Sequence, residues 1–257
     1  YNNLDLDAAT ERGIPVVYTP YGPTESTAEH AWMLMLAVAR RLPRFDRAVR
    51  EGDFGIRDRP TSMGRQLYGK ALGIVGFGRI GTRLAEMARD ALAMPIYVFD
   101  PFVDPQVVTK WGATPIEALT DLAKAVDLLS VHVPLTPQTR GLIGRDVISA
   151  LGAEAILVNA SRGAVLDELA LVEALQEDRI GGAGLDVYDP QPPRADNPLL
   201  QFDNVVLTPH VGSFTHEGRR NMGITVAKDV LAILSDRVPE FLANPQVWKC
   251  RRTQPHN

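Results

Sequence analysis

A single cysteine, Cys250, stands in a chain of 257 residues, so neither an internal disulfide framework nor a cysteine-built zinc site can support the fold. An excess of basic charge is also missing. Lys and Arg total 27 against 31 Asp and Glu, a formal net charge of -4, which excludes the electrostatic footprint of a nucleic-acid binder. The longest wholly apolar run, Ala31 to Ala39, falls far short of the roughly 20 residues that cross a bilayer. The chain opens Tyr1-Asn2-Asn3-Leu4, without the charged, apolar and small-residue pattern of a signal peptide. What is plentiful is ordinary core material. With 45% hydrophobic and 23% charged residues the chain can bury a core and is too apolar for disorder. Its length suits one large domain or two modest ones, at about 100–200 residues per domain. The expectation is a cytoplasmic globular protein with no nucleic-acid or membrane partner.

The segment Gly13 to Pro20 reads as a short buried strand bounded by Gly and Pro. After Gly22-Pro23 a helical pattern starts at Thr24 or Glu25. Leu34, Leu36, Val38, Leu42 and Phe45 carry its apolar face to about Arg50. Glu51 to Gly64, with three glycines and Pro60, reads as a loop. From Lys70 strands and helices alternate. Apolar runs at Leu72–Val75, Ile96–Phe99, Leu128–Val133, Ala155–Val158 and Val205–Leu207 are separated by helical patterns at Arg79–Ala91, Glu117–Ala125 and Glu168–Glu177. Runs that are continuously apolar belong to strands covered on both faces, as in a parallel sheet flanked by helices. A last helix is expected from about His216 to Ser235. The tail from Trp248, through Cys250, Arg251 and Arg252, reads as polar and frayed.

The strand Ala71 to Val75 runs directly into Gly76-Phe77-Gly78-Arg79-Ile80-Gly81, and a helical pattern follows at once. Gly76 permits a tight turn, Gly78 admits a pyrophosphate close to the backbone, and Gly81 lets helix and strand pack closely. The helix N-terminus then offers N–H groups and a partial positive charge to the phosphates. A bare GxGxxG is a weak signal. This one has the strand, the helix and an acid, Asp100, 19 residues beyond Gly81 at the end of the next strand. A carboxylate there binds both ribose hydroxyls of NAD and repels the extra phosphate of NADP, so NAD is the expected cofactor.

Three further polar residues lie just past apolar strands, where open α/β sheets place their ligands. Arg162, in Asn159-Ala160-Ser161-Arg162-Gly163, can hold a carboxylate with two hydrogen bonds; alone it would more often be a surface ion-pair residue. His210, in Thr208-Pro209-His210-Val211-Gly212-Ser213, can exchange a proton near neutral pH, or serve as a cap. Asp186, in Gly184-Leu185-Asp186-Val187, ends a third strand and is otherwise a turn carboxylate.

Taken in order, Thr19-Pro20, Glu25-Ser26-Thr27-Ala28-Glu29-His30, the glycine loop, His132-Val133-Pro134-Leu135-Thr136 and the three strand-end motifs resemble the D-isomer-specific 2-hydroxyacid dehydrogenases. The resemblance runs from Tyr1 to about Val247. It implies an α/β fold: a Rossmann-type doubly wound parallel sheet at 24–214, preceded at 1–23 by a remnant of a flavodoxin-like substrate domain. Residues 215–257 would form a C-terminal helix returning to that domain, and a tail. It implies hydride transfer between nicotinamide and C2 of a small 2-hydroxy or 2-oxo acid, glyoxylate, hydroxypyruvate or phosphoglycerate in type. By motif, Arg162 would bind the substrate carboxylate and His210 would be the acid–base group. Asp186 would hold the nicotinamide carboxamide, Asp100 the ribose, and the amides of Arg79 and Ile80 the pyrophosphate. His132, Pro134, Thr139, Ala160, Ser161 and Gly212 would line the cofactor cleft. The helix from about Glu25 to Arg50 resembles the family's dimer-forming segment, which makes a homodimer the expected assembly; intramolecular packing explains its periodicity equally.

Two departures stand out. Where the family usually places Glu to partner the histidine, this chain reads Asp189-Pro190-Gln191-Pro192. The amide of Gln191 can orient His210 but cannot balance an imidazolium, which makes the histidine a weaker base than one partnered by Glu. Asp189, two residues away, is the alternative partner. A Gln–His pair also resembles the related formate dehydrogenases, so formate oxidation stays open as the second enzymatic reading. Secondly, about 70–80 residues that precede Tyr1 in family members are not in this chain. That leaves open a truncated or non-catalytic subunit, or an NAD(H)-binding regulator resembling the family's corepressors.

Overall fold

The computed structural model describes residues 4–251. Residues cluster by contact into two compact units: Thr27–Gly212, and a smaller unit that joins residues up to Ser26 with those from Ser213 onward. In chain order the elements are α1 (Leu6–Glu11), α2 (Thr24–Ala39), α3 (Leu42–Arg50), β1 (Leu72–Val75), α4 (Arg79–Leu92), β2 (Ile96–Phe99), α5 (Pro105–Trp111) and β3 (Thr114–Pro115). They continue with α6 (Leu119–Ala125), β4 (Leu128–Val131), α7 (Arg145–Ala150), β5 (Ile156–Asn159), α8 (Glu168–Gln176), β6 (Gly182–Leu185), β7 (Val205–Leu207) and α9 (His216–Leu234).

The larger unit is a seven-stranded sheet in the order β3-β2-β1-β4-β5-β6-β7, with every pairing parallel. Chain order reverses between β1 and β4, the switch point at which such sheets bind ligands. Strand residues alternate between two buried clusters. Leu72, Ile74, Ile156 and Val158 pack with Leu34 of α2 and Leu84 of α4. Val75, Leu129, Val131 and Leu157 pack with Leu122 of α6, Ile148 of α7 and Leu171 of α8. This two-sided burial is what the continuous apolar runs of the sequence encode.

In the smaller unit, Asn244 is fully buried and ties the chain ends together. Its Oδ1 accepts from the Val16 amide at 2.8 Å, and its Nδ2 donates to the Ile14 carbonyl and Thr10 Oγ1, both at 3.0 Å.

Three sequence expectations are corrected. Gly13 to Pro20 is not a buried strand: it makes one isolated bridge, Val17 to Leu242, and Ile14 is exposed. Its pairing is confined to that bridge: the Tyr18 amide donates to the Phe241 carbonyl at 3.2 Å and the Ala243 amide to the Val16 carbonyl at 2.7 Å. The helix expected through Arg50 breaks into α2 and α3 at Arg41, which sits in the left-handed region at φ 51°. Pro43 in the first turn of α3 explains the break, since its ring cannot follow a preceding helical turn. The tail is ordered through Arg251: Pro245–Lys249 form a 3₁₀ turn with Val247 fully buried, and the Arg251 guanidinium stacks on Trp248 at 3.8 Å. Arg252 and the residues after it lie outside the described residues.

Candidate active site

The nucleotide end is built where β1 meets α4. Gly76 sits at φ 94°, and a Cβ there would stand 2.9 Å from the His132 carbonyl oxygen. Gly81 lies so close to the Gly76 carbonyl that a Cβ would come within 2.1 Å of its oxygen. Gly78, by contrast, faces open space and caps α4 without any side-chain cap. The start of the helix therefore has open space in front of it, the position at which a helix end attracts an anion. Phe77 is braced edge-on against Trp111, with ring centroids 5.3 Å apart, and Arg89 covers the other ring at 4.4 Å.

Asp100, just past β2, accepts from the Phe77 amide at 2.8 Å and the Phe102 amide at 2.9 Å, one bond to each carboxylate oxygen. Each oxygen keeps a lone pair for a hydroxyl donor. Backbone donors at a helix start and a fixed carboxylate beyond the next strand fit a dinucleotide. Farther along the same sheet edge, His132 lies 2.9 Å from Ser130 Oγ through Nε2, and burial pushes its ring down to about 4, so it is neutral near pH 7. The hydroxyl of Thr139 is committed to its own loop: it donates to the Pro134 carbonyl at 2.6 Å and accepts from the Thr136 amide at 2.8 Å.

The chemical end is built on the neighbouring strands β5, β6 and β7. Asn159 closes β5 and is buried. Its Oδ1 accepts from the Ser161 amide and hydroxyl at 3.0 and 2.8 Å, while its Nδ2 donates to the Arg162 carbonyl at 3.0 Å. That knot fixes the turn Ala160-Ser161-Arg162, and Arg162 itself donates to the Ser161 carbonyl at 2.7 Å.

Asp186, past β6, is 1% exposed. Oδ1 accepts from Thr208 Oγ1 at 2.6 Å and the Val211 amide at 2.9 Å, and lies 3.2 Å from His30 Nε2; Oδ2 accepts from the Gly212 amide at 2.8 Å. Burial alone would raise the pKa of this carboxyl. The bonds from His30, Thr208, Val211 and Gly212 outweigh burial and hold it below the ordinary carboxylate value. Tyr188 ties the same strand ends together, its hydroxyl 2.9 Å from the Thr208 carbonyl and 3.2 Å from that of Leu185. Burial, with Asp186 nearby, pushes its phenol up to about 12, so it remains a donor.

Between Thr208 and Val211 stands His210, in the left-handed region at φ 58°. Its Nδ1 is 2.8 Å from Gln191 Nε2. Asp189 is not the partner: its carboxylate lies 3.5 Å from Arg140 instead. The loop that carries Gln191 is anchored by Glu168, which accepts from the Asp189 amide at 2.8 Å and from Asn197 Nδ2 at 3.1 Å. The structure thus brings His210, Gln191, Asp186 and Gly212 into one hydrogen-bonded group, with Arg162 two strands away at the same sheet edge. Sequence reasoning missed His30, Asn159, Glu168, Tyr188 and Thr208 as parts of this group. Among the described residues no cluster of three or more His, Cys, Asp or Glu is placed to hold a metal, and no helix is long and apolar enough to cross a membrane.

A doubly wound parallel sheet with a glycine-rich turn leading from its first strand into a helix, and a fixed carboxylate past the next strand, defines a dinucleotide-binding class of domain. Residues 32–212 match the family model of the D-isomer specific 2-hydroxyacid dehydrogenase NAD binding domain, and the chain belongs to that family. It is 44% identical over 230 residues to a D-3-phosphoglycerate dehydrogenase of Archaeoglobus fulgidus, covering 90% of this chain and 43% of that protein. To a glyoxylate reductase of Korarchaeum cryptofilum it is 42% identical over 254 residues, covering 98% and 75%. Among solved structures, the NADPH-dependent glyoxylate/hydroxypyruvate reductase of Sinorhizobium meliloti, in complex with NADP and malonate, superposes with a TM-score of 0.87 at 34% identity, covering 99% of this chain and 77% of that one. The chain thus spans under half the length of the phosphoglycerate dehydrogenase and about three quarters of the two reductases. The cofactor of the domain is NAD.

Proposed function

We propose that this chain carries the catalytic half of an NAD-dependent 2-hydroxyacid dehydrogenase, interconverting a small D-2-hydroxy acid and its 2-oxo acid. The observation that carries this reading is the His210–Gln191 contact, held beside the Asp186 node at the edge where the phosphate loop also opens. The nicotinamide, when bound, supplies or accepts the hydride. Arg162 holds the substrate carboxylate and, through a second N–H, draws electron density toward the C2 oxygen. Nδ1 of His210 faces the Gln191 amide at 2.8 Å; with that amide turned so that Oε1 accepts from Nδ1–H, Nε2 moves the proton: donated to the C2 oxygen in reduction, taken from the hydroxyl in oxidation. Asp186 has capacity left mainly on Oδ2, the oxygen that would accept from the nicotinamide carboxamide.

Glyoxylate, hydroxypyruvate and phosphoglycerate are the substrates to try first, by analogy with the relatives. The neutral Gln191 specifically favours formate as the second substrate to test, because formate oxidation has no hydroxyl proton to remove. The smaller unit, with α1 and α9, is assigned to the substrate domain. A homodimer through the α2–α3 region is proposed as the assembly; Leu42, Val49 and Phe54 leave exposed apolar surface there.

The test is NADH consumption by the whole chain with each 2-oxo acid, with formate plus NAD as a separate arm. Turnover that disappears in His210→Ala supports the reading. Turnover that survives in His210→Ala, or NADH binding with no turnover on any acid, overturns it. Sedimentation equilibrium reads the assembly, and a monomer would end the dimer proposal.

A further inference from the structure

Thr208 has one hydroxyl proton, and it is donated to Asp186 Oδ1 at 2.6 Å. The contact of 2.9 Å between His30 Nε2 and Thr208 Oγ1 therefore requires the histidine to be the donor. The same Nε2 lies 3.2 Å from Asp186 Oδ1, a second acceptor for its proton. One N–H thus bridges the residue two before His210 and the carboxylate that holds the two amides after it. Helix and strand geometry place it there. On α2, Leu34 packs its Cβ against Gly184 of β6, so closely that a Cβ on Gly184 would be 2.9 Å away. One turn before Leu34 is His30; two residues after Gly184 is Asp186. Four helical residues and two strand residues both advance about 6 Å, so the two side chains meet. The ring is largely buried, 13% exposed.

We infer that His30 is a positioning residue for His210: it locks Thr208 and Asp186, and through them the left-handed turn that aims the imidazole. The inference rests on reading His210 as the acid–base group. The left-handed conformation is unfavourable for a histidine and persists only if its surroundings over-determine it. Thr208 fixes the turn on one side, and the Val211 and Gly212 amides fix it on the other, all through Asp186. Without His30 the Asp186 carboxylate keeps those donors, while Thr208 Oγ1 and Asp186 Oδ1 lose the one N–H that ties both of them to α2.

The test uses two variants of the whole chain. His30→Leu fills the site without a donor; His30→Gln returns an amide N–H at similar reach. Three readouts are needed: kcat and KM for the preferred 2-oxo acid, the amide proton shifts of Val211 and Gly212, and the ring nitrogen shifts of His210. In His30→Leu we expect kcat to fall about tenfold to a hundredfold, the cost of misplacing a catalytic group by ~1 Å. KM for the acid should stay unchanged, because Arg162 is untouched, and both amide protons should move. His30→Gln should recover most of the kcat and return the shifts toward wild type. A Leu variant with wild-type kcat, or a Gln variant no better than Leu, overturns the inference. If the wild type turns over none of the acids, the dehydrogenase reading fails, yet the shifts still decide whether His30 sets this turn; unchanged shifts in His30→Leu would refute it.

Discussion

At the scale of single residues, Gln191 carries the sharpest consequence. An amide beside Nδ1 of His210 orients the ring and adds no charge. Gln191→Glu would place a carboxylate at hydrogen-bond distance from the ring and favour its protonated form. The pH limb belonging to His210 should then rise: reduction, which needs the protonated ring, extends to higher pH, and oxidation, which needs the neutral ring, starts at higher pH. Profiles of kcat/KM for both enzymes check this, and superimposable curves would refute it. Asp186 leads to a second expectation. Its pKa is held down in the folded state, so its contribution to stability is present above about pH 4, the unfolded value, and is lost as pH falls through the folded one. Asp186→Asn turns an amide N–H toward donors that need acceptors. Unfolding should be easier by about 1–3 kcal/mol near neutral pH, with the gap from wild type closing in acid. Urea titrations from pH 3 to 7 measure both.

Among the elements, what the sequence revealed depended on how far apart the partners lie along the chain. The glycine loop, Asp100 and the strand-end residues Arg162, Asp186 and His210 stand out as candidates in the sequence because each is a residue type at a fixed place relative to an apolar run. His30 does not, although it lies within a motif of the family, because its partners Thr208 and Asp186 come together with it only when α2 packs along β6. Thr208 is 178 residues away from it. Likewise α2 and α3 read as one helix, since apolar periodicity continues through Arg41 while the backbone does not. Glu168 escaped notice for a similar reason. It opens α8, yet its carboxylate serves the loop that carries Gln191. Glu168→Ala should leave α8 intact, because Asp167 still caps it through the Ala170 amide at 3.0 Å. The loop would lose two anchors. Trypsin should cut after Arg194 faster than in wild type, and kcat should fall while NADH affinity holds. Equal cleavage rates would show that Glu168 does not hold the loop.

For the molecule as a whole, the decisive feature is that every residue proposed to face the nucleotide lies within the one unit Thr27–Gly212. The chain should therefore bind NADH whether or not it turns over an acid, and binding should appear as thermal stabilisation. At a ligand concentration of about 100 Kd the folded state gains about 2.7 kcal/mol. For a domain of this size each kcal/mol shifts Tm by about 2–4 °C, so the expected rise is about 5–10 °C. NADPH should raise it far less. Asp100 has its carboxylate pinned by the Phe77 and Phe102 amides, so it cannot swing away from the added phosphate, and the charge repels it at short range. Asp100→Ser removes the charge while keeping a hydroxyl, and the NADH and NADPH shifts should converge. Equal shifts in the wild type would mean that Asp100 does not read the ribose, and the residue discriminating the two cofactors would have to be sought elsewhere around the loop.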